Sequence, residues 1–439
     1  MSIRPAEYAS RRQHLMSQMA ANSIAILPAS PVCNRNNSVD YPYRPNSDFY
    51  YLSGFDEPEA VLVLIPGREH GEYILFCRER NPEKELWDGL RAGQEGAIRD
   101  FGADDAFPIG DIDEILPGLL EGRDRVYYSV GKNHAFDQQL MDWVNTIRSK
   151  ARLGASPPKE FVMLDHLLHD MRLYKSAAEV GQMQRACDIS SRAHVRAMQA
   201  VQPGMHEYQL EAELDYEFRR NGARFAAYSS IVAGGANACI LHYINNDARL
   251  NDGDLVLIDA GCEVNCYASD ITRTFPVSGR FSPEQKALYE VVLAANLAAI
   301  ECVQPGRHWN EPHETSVRVI TEGLVRLGLL QGDVDELIAG DAYRPFYMHR
   351  AGHWLGLDVH DVGDYKVGGQ WRVLEPGMCL TIEPGIYVAK DNLAVDARWR
   401  GIGIRIEDNL VVTQTGHSIL TGGVPKAVDE IEALMSGTL

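Results

Sequence analysis

Two aspartates, two glutamates and a group of histidines carry the chemistry legible in this chain. Asp259 closes the apolar run Leu255-Val256-Leu257-Ile258, and Asp270 opens a second β-rich run that continues to Phe275. Short runs rich in β-branched residues read as buried strands, and Asp252-Gly253-Asp254 ahead of them is turn chemistry. Glu263-Val264-Asn265-Cys266 between them marks a hairpin tip. Val264 tolerates positive φ poorly, so the expectation is a four-residue loop centred between Val264 and Asn265, not a two-residue type I′ turn. That register sets Asp259 directly opposite Asp270, with Cβ atoms roughly 4.5–5.5 Å apart, where like charges repel. Two carboxylates facing each other in an apolar sheet need a cation or a shared proton.

Two more carboxylates occupy similar settings. Glu383 ends the strand pattern Met378–Glu383, just before Pro384-Gly385. In Gly401–Asp408 the apolar residues alternate, with Ile402, Ile404 and Ile406 on one face and Arg405 and Glu407 on the other. The segment His349–Asp361 holds His349, His353 and His360 among Gly352, Gly356 and Gly363, and His242 lies in Ile240–Tyr243. Spacing alone does not select a ligand among these histidines. His349 and His353 are separated like a helical zinc pair, but Arg350-Ala351-Gly352 between them lacks the glutamate of that motif. Cys262 and Cys266 flank the hairpin tip without the two further ligands that a zinc site needs.

The elements that must position these groups repeat. Ser176-Ala177-Ala178-Glu179 is a capping box opening a helix to about Ala200, and Val201-Gln202-Pro203-Gly204 separates it from a helix over Glu207–Arg220. Ser282-Pro283-Glu284-Gln285 caps another helix, and Val303-Gln304-Pro305-Gly306 separates that one from a helix over Thr315–Leu327. Each pair leads into a His-bearing segment and then strands. This pattern predicts an α+β domain of two duplicated helix–helix–sheet halves packed around one site. Ahead of it, a helix over 5–21, strands at Ser23–Leu27, Ala60–Ile65 and Tyr73–Cys77, and helices at Asp111–Leu120 and Phe136–Arg148 predict a separate α/β domain. The expected domains are 1–174 and 175–439.

A chain of 439 residues exceeds one ordinary core, which agrees with two domains. Its 61 acidic against 42 basic residues give a net charge of −19, which argues against nucleic acid or an anionic membrane as partner. No apolar run approaches the ~18 residues of a membrane span. The start lacks a secretory signal pattern, and the eight cysteines are scattered without a C-x-x-C pair, so a reducing, cytoplasmic setting is expected.

Ser269–Pro276, His349–Asp361, Thr381–Gly385 and Ile404–Asp408 together resemble the motifs of the pita-bread metallopeptidases. Asp40–Arg44 and Tyr51–Glu59 resemble the N-terminal domain of the proline-specific branch, and the likeness across the chain is greatest to the bacterial aminopeptidase P group. The resemblance implies metal ligands Asp259, Asp270, His353, Glu383 and Glu407. It implies two divalent ions bridged by Asp270 and Glu407, with Asp259 on one side and His353 and Glu383 on the other. An oxygen-rich set of this kind suits Mn²⁺. Glu383 is then the general base, and His242 and His360 serve the scissile carbonyl and the tetrahedral intermediate. His349, Tyr387 and Arg405 hold the proline side, although Arg405 could instead pair with a ligand carboxylate. Trp87 resembles an aromatic near the substrate entrance. The implied activity is removal of an N-terminal residue from peptides with proline second, by a homo-oligomer, tetramer or dimer. A prolidase shares all five ligands, and a creatinase-like or metal-free binding protein is the other alternative. Arg350-Ala351-Gly352 departs from the family, which more often has small or aliphatic residues there.

Overall fold

Uninterrupted apolar runs build the sheet of the first half of the chain. Val61–Leu64 and Tyr73–Cys77 are buried at every position, as strands covered on both faces must be. A computed structural model describes residues 3–438, which divide between Arg172 and Leu173 into two units. In the first unit six strands form one mixed sheet in the order 105–108, 73–77, 61–64, 23–28, 125–127, 160–162. Ser23–Pro28 pairs antiparallel with Val61–Leu64 and parallel with Arg125–Tyr127. The helix His134–Ser149, capped by the Asn133 side chain, presents Phe136, Leu140, Trp143 and Ile147 to this sheet.

The second unit contains the two expected helix pairs, Ala177–Ala200 with Glu207–Arg220 and Pro283–Glu301 with Glu311–Arg326. Both first helices open on complete capping boxes, Ser176 with Glu179 and Ser282 with Gln285. Apolar faces of all four helices share one core with Val256, Ile258, Phe275, Ile386, Ile404 and Ile406 from the strands. The duplication extends to a buried polar pin in each half. Ser190, fourteen residues past its cap, holds the backbone N–H of Cys262. Asn296, fourteen past its own, donates to the carbonyls of Ile382 and Ile406.

The hairpin register differs from expectation by two residues. Leu255–Asp259 pairs with Thr272–Pro276 so that Asp259 faces Thr272, and Val264 pairs with Tyr267. The tip is a two-residue turn in which Asn265 and Cys266 both take positive φ, 50° and 66°. Moving the turn centre by one residue gives Asn265 the left-handed conformation it tolerates and leaves Val264 buried in the strand. An even change of pairing keeps both aspartates on one face, so Asp270 is the diagonal neighbour of Asp259 rather than its opposite.

Behind the strands that carry these carboxylates lies a buried ion pair. Arg273, fully buried, donates to Asp408 Oδ1 at 2.8 Å and to the carbonyl of Glu407 at 2.6 Å. Lys426 reaches the other Asp408 oxygen at 2.7 Å. Burial alone would raise the Asp408 carboxyl, but Arg273 and Lys426 hold it well below the usual carboxylate range. Asp408→Asn leaves a buried guanidinium without its counter-charge and should cost about 3–5 kcal/mol in urea unfolding at pH 7. The folded carboxyl lies below its unfolded value of about 3.9, so the stabilisation is complete above about pH 5 and is lost as pH falls through the folded value. The gap between wild type and variant should therefore close on acidification; a gap constant into acid would contradict the pairing.

Candidate metal centre

Strand geometry gathers the five expected ligands at one cavity of about 530 Å³, whose lining includes Asp259, Asp270, His353, Glu383 and Glu407. Asp259 is the last residue of its strand, and Glu383 and Glu407 follow the strands Cys379–Ile382 and Ile402–Arg405. Asp270, His353 and Glu407 each present a ligand atom within 4.8 Å of the others. His353 Nε2 lies 3.4 Å from Asp270 and 3.7 Å from Glu383. Its Nδ1 is 2.9 Å from the carbonyl of Trp354, which fixes the proton there and turns Nε2 toward the carboxylates, as a metal-ligating histidine requires.

Close backbone approach makes this convergence possible. A Cβ on Gly352 would meet the carbonyl oxygen of Thr381 at 2.0 Å, so only glycine lets the histidine loop lie against the Glu383 strand. Gly261 stands in the same relation to Ser269, with a Cβ contact of 1.8 Å.

The cluster is short of positive charge. Burial raises the Asp259, Glu383 and Glu407 carboxyls, and the charges of neighbouring carboxylates add to the rise. Glu383 reaches about 7 even though His353 and Arg405 oppose the shift. Burial would depress His353, yet the Asp270 hydrogen bond and the Glu383 charge carry it up to about 9. Asp270, despite its burial, is lowered by those same His353 contacts and by Tyr228. Four carboxylates thus share two cationic partners, and the donors are four oxygen groups and one imidazole with no thiol lining the cavity. Hard divalent cations fit this set.

Sequence reasoning missed Tyr228. Its hydroxyl lies 2.6 Å from Asp259 Oδ1 and 2.5 Å from Asp270 Oδ1, so it spans the two aspartates of the hairpin. Tyr228 lies outside the hairpin, and only the folded sheet brings it there; no local pattern signals it. Thr272, opposite Asp259, donates to Glu407 at 2.6 Å and was equally silent.

The remaining candidates fall into two layers. His242 and His360 are exposed at the cavity, and His349 and Arg405 also line it. Arg405 donates to Asp259 at 2.6 Å and to Tyr387 at 2.9 Å, so its guanidinium pairs with a ligand carboxylate. Tyr387, expected on the proline side, is 1% exposed and stands one layer back, with its hydroxyl 2.8 Å from His349 Nε2. His349 Nδ1 lies 2.8 Å from the carbonyl of Arg350, so Nδ1 carries the proton and Nε2 accepts from Tyr387. Burial and the Arg405 charge lower His349 to about 3, which keeps it neutral. Trp87 is not part of this cavity lining; it lies on the helix Pro82–Asp88 of the first unit and is 85% exposed.

Residues 181–414 match metallopeptidase family M24, and residues 8–127 match the aminopeptidase P N-terminal domain. The Xaa-Pro aminopeptidase of Escherichia coli is 47% identical over 98% of this chain and 97% of its own length. The structure of Pseudomonas aeruginosa aminopeptidase PepP is 70% identical with a TM-score of 0.99, covering 100% of this chain and 99% of that one. Zn-substituted E. coli aminopeptidase P in complex with product is 46% identical with a TM-score of 0.97, and the match covers both chains fully.

Groups that orient ligands typically change metal affinity 10–100-fold when removed. Tyr228→Phe, which deletes the hydroxyl between Asp259 and Asp270, should therefore weaken Mn²⁺ binding by about 10–100-fold in titration calorimetry, with the unfolding midpoint of the chelated protein little changed. Unaltered affinity would show that the hydroxyl does not orient the aspartates.

Proposed function

The chain belongs to metallopeptidase family M24, in its aminopeptidase P branch, and on that premise we infer that it is an Xaa-Pro aminopeptidase. It releases the N-terminal residue from peptides whose second residue is proline. The observation that carries this reading is the convergence of Asp259, Asp270, His353, Glu383 and Glu407 on one cavity. These five residues would hold two divalent ions. The oxygen-rich donor set favours Mn²⁺. When bound, two such ions activate water near neutral pH and polarise a carbonyl oxygen.

The chain's own residues supply the rest. Glu383 is the general base: its side chain is 19% exposed, against 13% for Asp259 and 7% for Asp270, so it meets the cavity most openly. It takes the proton of the attacking water and returns it to the proline nitrogen as the C–N bond breaks. His360 lines the cavity beside His353, and desolvation and the His353 charge lower its pKa. We assign His242 and His360 to the scissile carbonyl and the oxyanion that develops from it. His349, with both ring nitrogens engaged, offers the substrate only C–H and π surface. Ile231, Leu241, Ile244 and Val359 also line the cavity and add apolar surface without side-chain hydrogen-bonding groups. Such a surface suits proline, whose ring nitrogen carries no N–H in the peptide.

We place the enzyme in the cytoplasm as a homo-oligomer. Among the described residues no helix is long and apolar enough to cross a membrane. Leu86, Trp87 and Leu90, each above 80% exposed, give the first unit an apolar patch that a second copy would cover.

Turnover of Xaa-Pro-Xaa-Xaa beside Xaa-Pro, with Mn²⁺ added, tests the reading. The longer peptide should be cleaved at its first bond with the higher kcat/KM, and preference for the dipeptide would make the enzyme a prolidase. Glu383→Ala should lower kcat by about 10²–10⁴-fold while the protein stays folded by circular dichroism. Retained turnover would remove Glu383 from the role of base.

A further inference from the structure

One charged side chain at the cavity has no part in the chemistry above. Arg350 follows His349 directly, is exposed, and lines the same cavity as the ligand cluster. Its guanidinium lies 4.9 Å from the centre of the Trp371 ring, and the Lys366 ammonium lies 4.3 Å from that centre. Arg350 also donates to the side-chain oxygen of Asn310, whose amide in turn donates to Glu314. Among the described residues no carboxylate comes within ion-pair distance of Arg350 or of Lys366. Two cations sit on one indole, neither with an internal carboxylate partner among the described residues. A guanidinium over an aromatic face keeps its in-plane N–H groups available apart from the one given to Asn310, and such groups match the oxygens of a carboxylate.

Charge decides which end of a peptide meets this rim. A substrate's N-terminal ammonium is repelled by Arg350 and Lys366, whereas a peptide carboxylate is drawn to them. The rim therefore faces the portion of the peptide beyond proline, on the side of the neutral His349. In an extended peptide the carboxylate of the third residue lies roughly 7 Å past the scissile bond.

We propose that Arg350, supported by Trp371 and Lys366, is a specificity-determining residue that binds a carboxylate beyond the proline. That carboxylate is either the free C-terminus of a short peptide or an acidic side chain in the third position. The proposal rests on the Xaa-Pro aminopeptidase reading and adds to it a preference on the leaving-group side.

The test uses the full-length, Mn²⁺-loaded enzyme and two matched substrate pairs. Xaa-Pro-Ala as the free acid against its amide reads the terminal carboxylate, and Xaa-Pro-Glu-amide against Xaa-Pro-Gln-amide reads the side chain. Wild type should favour the carboxylate member of at least one pair by about tenfold in kcat/KM. That ratio should shrink between about 20 and 200 mM salt, as expected for an exposed charge. Arg350→Gln should bring it near one, Arg350→Lys should restore part of it, and Lys366→Gln should reduce it less than Arg350→Gln does. A purely structural role for Arg350 would change both members of each pair alike. A ratio near one in wild type, or one unchanged in Arg350→Gln, would overturn the proposal. Failure to cleave any Xaa-Pro peptide would overturn the reading beneath it, and the rim with it.

Discussion

Four carboxylates gathered at one cavity of an α+β domain impose the constraint on which the rest of this structure depends. Asp259, Asp270, Glu383 and Glu407 share two cationic partners, Arg405 and His353, and burial raises three of the four carboxyls. Mutual repulsion at such distances opposes folding unless protons or cations occupy the space between them. The neighbouring architecture accordingly restrains negative charge. Tyr228 spans the two aspartates, Thr272 donates to Glu407, and Arg405 holds Asp259. Arg273, one layer further back, fastens the Glu407 backbone through a buried pair with Asp408.

Duplication explains how one chain brings four carboxylates to one cavity, while His353 arrives on the irregular stretch between Ala339 and Lys366. Each half brings a helix pair, a buried polar pin from its first helix, and strands that end in carboxylates. Gly261 and Gly352 occupy equivalent crossings, where backbone passes within van der Waals range of Ser269 and Thr381. The two sets of strand ends then face one cavity. Helices far from the cavity contribute by fixing strand ends, and a strand end is where a side chain is both rigidly held and open to a ligand.

Much of this was legible in the sequence because it is local. The capping boxes, the two Val-Gln-Pro-Gly breaks and the alternation of Ile402, Ile404 and Ile406 follow from periodicity and turn chemistry. The aspartates were placed on one face correctly although the turn lay one residue from its expected centre. An even change of register leaves that parity intact. Contacts made across the fold were not legible. Tyr228 is remote in sequence from Asp270, and Tyr387 looks like a cavity residue until its neighbours show that it holds His349 and Arg405 instead. Arg405 carried two possible roles in the sequence, and only the 2.6 Å contact with Asp259 shows the ion pair.

Counting bound metal tests the central claim most directly. Chelator-stripped protein dialysed to equilibrium against Mn²⁺ should retain about two ions per chain, the number a two-metal site holds. Asp259→Asn and His353→Ala should each lower that number toward one. Wild-type protein that retains no ion, or variants that retain as much as wild type, would contradict the assignment of the carboxylate cluster as a dinuclear metal site.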